Sequence, residues 1–147
     1  MKFARASSLP ALGVALGMAL LSACSGIPKR ETDQQLLAKY TAYAGEPVSE
    51  FRTYSPFDSW SSIDDRHVLI QTNVSDAYLL TLAPPCIDLP FANHIGLTSR
   101  FPHTVSSGFD SIRVGREQCR ILEIRPVNYR QMRADAAKDH NLKSESG

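Results

Sequence analysis

No sign of charge dominates this chain: 16 Lys and Arg stand against 15 Asp and Glu, a formal net of +1. Such balance produces no global field to gather nucleic acid or an acidic polymer, which argues against a dedicated DNA or RNA binder. Glycine is scarce as well. Beyond residue 23 only six remain, too scattered to form a phosphate cradle or a dinucleotide fingerprint, whose backbone N–H groups must converge. The Gly-x-Ser-x-Gly turn that exposes a hydrolase serine is absent. The three cysteines include no Cys-x-x-Cys pair and none has a histidine beside it, so nothing marks a reactive or metal-binding thiol pair. With 147 residues, 43% of them hydrophobic, the chain is too short for two ordinary domains and too apolar for a disordered segment.

The longest uncharged run is at the start. Lys2 and Arg5 are followed by Leu9 to Ala23, 15 residues of Leu, Ala, Gly, Val, Met, one Pro and one Ser. A membrane-crossing helix needs roughly 20 apolar residues, so a basic segment followed by this shorter run reads as an export signal. Its ending, Leu21-Ser22-Ala23-Cys24, resembles the bacterial lipobox. The resemblance implies cleavage after Ala23, a diacylglycerol thioether on Cys24 and acylation of the new amino group. Each buried acyl CH₂ contributes about 0.8 kcal/mol, and more than one chain makes such anchoring stable. Ser25 stands where an Asp would retain a Gram-negative lipoprotein in the inner membrane, so the expected destination is the outer membrane, periplasmic face. The mature chain would carry 14 basic and 15 acidic side chains.

In that oxidising compartment the remaining pair, Cys86 and Cys119, is expected to form a disulfide. A polar tether runs over residues 24–31, a single globular domain over 32–127, and a polar, flexible tail over 128–147. Thr32 is placed as the N-cap of a helix with Leu36, Leu37, Tyr40 and Tyr43 or Ala44 on one stripe and Gly45 as its stop. After Pro47 the pattern becomes short alternating runs between turn residues. Strands are expected over 51–54, 60–63, 67–72, 77–83, 95–99, 110–114 and 119–125. The runs at 67–72 and 77–83, joined by Asn73-Val74-Ser75-Asp76, carry apolar residues on both faces and should be central. Pro84-Pro85 breaks the sheet, and 86–93 reads as a loop or short helical turn. The fold class is α+β, mainly β: one N-terminal helix on a twisted antiparallel sheet or partly closed barrel of about six or seven strands.

The lipobox, Trp60-x-x-Ile63-Asp64, Tyr78-Leu79-Leu80-Thr81-Leu82, Cys86-Ile87-Asp88-Leu89, Ile95-Gly96-Leu97-Thr98-Ser99, Phe109-Asp110 and Cys119-x-Ile121 together resemble a family of small proteobacterial lipoproteins known only as a domain of unknown function. The likeness covers residues 50–127 and the signal. It implies a periplasmic lipoprotein with a structural cystine and supplies no activity.

Candidate chemistry is thin. Asp64-Asp65-x-His67 could set a carboxylate against an imidazole for acid–base work, but adjacent Asp residues at a turn ordinarily accept hydrogen bonds from the N–H groups that follow. His94 and His103 with Asp88 or Asp110 could assemble a metal site in space, although no local spacing calls for one. Asp88 and Asp110 flank apolar residues and read as turn caps. Charge is uneven: residues 24–99 hold five basic and nine acidic side chains, whereas 100–133 hold seven Arg and three acids. Cross-strand pairing accounts for much of this. If Arg113, Arg116, Arg120 and Arg125 share a face, they would offer planar guanidinium forks to an envelope protein or an anionic glycan. The expectation is therefore a non-catalytic envelope-binding module without a cofactor or metal. Its alternatives are an inhibitor of a periplasmic enzyme, or a small periplasmic hydrolase or metal-binding protein.

Overall fold

The computed structural model describes residues 31–54 and 57–145. The signal over 1–23, Cys24 and all of the tether except Glu31 lie outside the described residues. Helix α1 spans Asp33–Ala42. Thr32 Oγ1 accepts from the Gln35 amide while the Gln35 side chain accepts from the Thr32 amide, a capping box that satisfies two amides at the helix start. Eight strands follow: β1 (Glu50–Arg52), β2 (Ser59–Ser62), β3 (His67–Gln71), β4 (Ala77–Leu82), β5 (Gly96–Thr98), β6 (Thr104–Ser106), β7 (Ser111–Val114) and β8 (Glu117–Val127). A 3₁₀ turn, Leu89–Phe91, lies between β4 and β5, and α2 (Tyr129–Glu145) closes the chain. No helix among the described residues is long and apolar enough to cross a membrane.

All pairings are antiparallel, in a curled six-stranded half-barrel of order β2-β3-β4-β8-β7-β5 and a separate β1–β6 pair. The hairpin β3–β4 does take an interior place. Alternation explains why: Val68, Ile70, Leu80 and Leu82 face one core, and Leu69, Ala77 and Leu79 face another. The first core is completed by Phe51 and Val105 of the small pair and by Ile112, Cys119, Ile121 and Ile124. Phe51 stacks on Tyr78 at 4.4 Å between ring centroids. The second core is covered by Leu36, Leu37 and Tyr40 of α1 together with Tyr43, Ala44 and Tyr129, so the stripe of α1 covers a sheet, as its spacing indicates.

Strand β8 carries a bulge. Leu80 pairs with Ile124 and Thr81 with Glu123, but Leu82 pairs with Ile121, leaving Leu122 unpaired and 48% exposed. The bulge reverses parity, so Cys119, Ile121 and Ile124 all enter the first core although their spacing is two and then three. Cys86 and Cys119 are joined, with 5.7 Å between Cα atoms and both about 1% exposed, tying the loop after β4 to β8.

Three expectations need correction. The helix is not alone: the segment expected as a flexible tail over 128–147 holds the longer helix, α2. Asn128 caps it by accepting the Gln131 amide at 3.1 Å, Met132 is 8% exposed, and Tyr43 donates to Asp135 at 3.1 Å. Docking through so few apolar side chains leaves little hydrophobic periodicity to detect. Strand β6 was not anticipated because three residues are too short to show alternation. Gly45 does not stop α1, which ends at Ala42 with Tyr43 as C-cap. Instead Gly45 passes close to β8, its amide donating to Pro126 O at 2.8 Å, where an added Cβ would meet Pro126 Cγ at 3.4 Å.

Two predictions follow from this packing. The disulfide spans a sequence separation of 33, for which chain entropy gives about 4 kcal/mol; the Cys86→Ala, Cys119→Ala double variant should lose that amount in chemical denaturation. The Tyr43–Asp135 bond also sets a pH window for the docking of α2. The Gln131 and Tyr43 hydrogen bonds hold Asp135 below the ordinary carboxylate value, while the bond to Asp135 raises the Tyr43 phenol above its ordinary value. A carboxyl lowered in the folded state stabilises above its unfolded value and ceases to as pH falls through its folded value. A raised phenol stabilises below its unfolded value, and that contribution is lost as pH rises through its folded value. Amide exchange in α2 should therefore accelerate at both extremes, and Tyr43→Phe should flatten the alkaline limb.

Candidate functional site

The polar residues that stand out in the sequence are mostly engaged by the backbone. Asp64 Oδ1 accepts the amides of Arg66 and His67, each at 2.7 Å, and its carboxylate also meets His67 Nδ1 at 2.8 Å. The Asp–His contact exists, but it closes the turn into β3, with His67 paired to Thr81. His94 is exposed, His140 lies on α2, and the His103 ring is tilted against that of Tyr54. Among the described residues the one group of potential metal ligands within 4.8 Å of one another is Cys86, Glu117 and Cys119, where both sulfurs belong to the disulfide. Among the described residues no histidine joins Asp88 or Asp110 in a group of three such ligands.

The four arginines divide. Arg113 pairs with Gln118, and Arg120 with Ser111, so both point outward from the β7–β8 hairpin, and Arg116 sits in its two-residue turn after Gly115. Gly115 has φ +57°, the left-handed conformation that a tight hairpin turn of this kind needs at its first position. Arg125 lies five residues beyond Arg120, roughly 16 Å along the strand, and is held by Glu123 at 2.7 Å. The hairpin presents three arginines, not four.

A different group of side chains forms a cleft. Asp110, just before β7, is 2% exposed; its Oδ1 accepts the Arg100 amide at 3.1 Å and its Oδ2 the Ser106 amide at 2.7 Å. It is thus a turn cap, as expected, though one that joins three segments. Its own carbonyl accepts from Ile121 at 3.0 Å, and Gly108, at φ +78°, donates to Ile121 O at 2.7 Å. Ser99 Oγ sits within hydrogen-bond reach of the carbonyls of Phe101 and Thr104 and has one proton to donate between them. His103 takes a φ of +62°, and its carbonyl accepts the Thr53 amide at 3.0 Å.

A loop so fully bonded within itself turns its aromatic side chains outward. Phe101, Phe109 and Tyr54 are 67%, 66% and 74% exposed. The Tyr54 and His103 rings lie 5.4 Å apart, and Arg100 Cζ sits 5.2 Å from the centre of the Phe109 ring, within reach of a cation–π attraction. Arg100, Phe101, Ser106, Phe109 and Asp110 line a cleft of about 150 Å³. A second, more open groove of about 620 Å³ lies between the β3–β4 turn and the start of α2, where Arg130 donates to Ser75 at 3.1 Å.

Of the cleft residues only Asp110 is legible in the sequence, as a turn cap; Arg100, Phe101 and Phe109 carry no site motif. A signal was present: both phenylalanines stand in turn sequences, Arg100-Phe101-Pro102-His103 and Ser107-Gly108-Phe109-Asp110, where alternation lapses. Aromatics in such places seldom belong to a strand face.

A family model matches residues 6–142, nearly the whole chain. The chain belongs to the family of unknown function DUF6491. No curated protein and no solved structure matches it. Membership agrees with the resemblance to a domain of unknown function and brings no activity with it, so the cleft of this DUF6491 protein is read from its own chemistry.

Asp110→Ala would leave two part-buried amides without their acceptor, each costing up to about 1–3 kcal/mol. The variant should unfold at lower denaturant and be cleaved by protease within 99–109 well before the rest of the chain, a site protected in the parent protein.

Proposed function

We propose that this DUF6491 protein is a lipid-anchored, non-catalytic binding module on the periplasmic face of the outer membrane, and that the cleft at Arg100, Phe101 and Phe109 is its ligand-binding face. The basic start, the apolar run and Leu21-Ser22-Ala23-Cys24 support the anchor. One observation carries the choice of face: two exposed phenylalanine rings and an arginine line one cleft on a loop whose backbone is held by Asp110. Aromatic residues and Arg are the side chains that most often dominate binding interfaces, and rigidity lowers the entropy lost on binding. The Asp64–His67 contact is accounted for by the turn it closes, so acid–base catalysis has no comparable support.

The test uses the full-length lipoprotein in cells, with a photoreactive residue placed at Phe101 or, for comparison, at Arg116. A discrete crosslinked envelope partner is expected from position 101 and not from 116. Crosslinks from 116 alone would move the binding face to the β7–β8 hairpin, and none from either position would overturn the binding-module reading. Cys24→Ala should leave the membrane fraction and lose the diacylglyceryl mass at its N-terminus.

A further inference from the structure

We infer that the cleft receives the C-terminal end of a peptide chain, its carboxylate on the Arg100 guanidinium and its last, apolar side chain between Phe101 and Phe109. The inference rests on the binding-module reading and names the ligand of that same site.

Size narrows the choice first. At about 150 Å³ the cleft is well below the roughly 300–1,000 Å³ of sites for drug-sized ligands, room for a single terminal group. The walls narrow it further. Two phenylalanine rings, each about two-thirds exposed, lose apolar surface to water only if the occupant has an apolar part.

The polar groups then decide what accompanies that part. Asp110 is 2% exposed and each of its oxygens accepts a backbone amide, so little of the carboxylate reaches an incoming hydroxyl or amine. Ser106 and Arg100 remain. The Arg100 main chain is fixed by Asp110 and its guanidinium is held over Phe109, yet among the described residues no carboxylate lies within ion-pair distance of it. A guanidinium fork held in place beside an apolar cleft, with its donors unspent, matches a planar acceptor-only group, and a carboxylate accepts it through two parallel bonds. A sugar ring fits less well, because its several hydroxyls would meet one serine hydroxyl and two rings. The peptide end supplies the apolar group and the carboxylate on one carbon.

The test titrates the ¹⁵N-labelled full chain in detergent micelles, following the Ser106 and Gly108 amides. N-acetyl-Ala-Leu should produce saturable shifts, and its C-terminal amide should bind about tenfold or more weakly, since the charge-assisted bond is lost. Arg100→Gln should bring the acid down to the level of the amide, while Arg116→Gln leaves both unchanged. Equal binding of acid and amide, a preference for the uncapped amine Ala-Leu-amide, tighter binding of N-acetylmuramic acid, or no saturable shift up to about 10 mM would each overturn the inference. Crosslinks from position 101 that persist while N-acetyl-Ala-Leu fails would leave the binding-module reading standing and remove this one. If both fail, both readings fall.

Discussion

One strand has to serve two neighbours along a single edge, and the bulge at Leu122 lets it do so. Strand β8 pairs with β4 on one side for most of its length. On the other side it pairs with β7 up to Arg120, exchanges bonds with Gly108 and Asp110 through Ile121, and then meets Val48 and Gly45 through Ile124 and Pro126. Without the extra residue, either Cys119 and Ile121 or Ile124 would face outward, because a one-residue change of register exchanges the two faces of a strand. The first core, the cystine and the anchoring of the aromatic loop all depend on this single irregularity.

That dependence also marks what could be read from the residues alone. The β3–β4 hairpin was legible because Val68 to Ile70 and Ala77 to Leu82 are apolar on both faces and Asn73 to Asp76 supplies turn chemistry, which the structure realises with Asn73 Oδ1 accepting two amides. The capped α1 and the Cys86–Cys119 pairing were legible for similarly local reasons. The bulge, the short β6 and the docking of α2 were not, since each is settled by partners far off in sequence. In the site, Asp110 could be recognised as a cap, but its grip on both Arg100 and Ser106, and hence the cleft, is a tertiary fact.

A pattern runs through the polar side chains. Thr32, Asp64, Asn73, Asp110 and Asn128 all accept main-chain amides at the start of a helix, hairpin or strand. Several acids and amides are thus used to fix turns, and the cleft beside Asp110 is left with aromatic and cationic side chains. These side chains stand on a backbone held by a buried carboxylate.

The half-barrel is not closed, and its two outer strands are only four and three residues long. At β5 the guard is visible: an added Cβ on Gly96 would meet the Nε and Nη2 of Arg113 at 3.8 Å, so a charged side chain lies across the outermost strand. Short, charged margins discourage one molecule from adding its strands to the next. Arg113 therefore has a task that needs no ligand. It keeps the sheet of one molecule from extending into that of another.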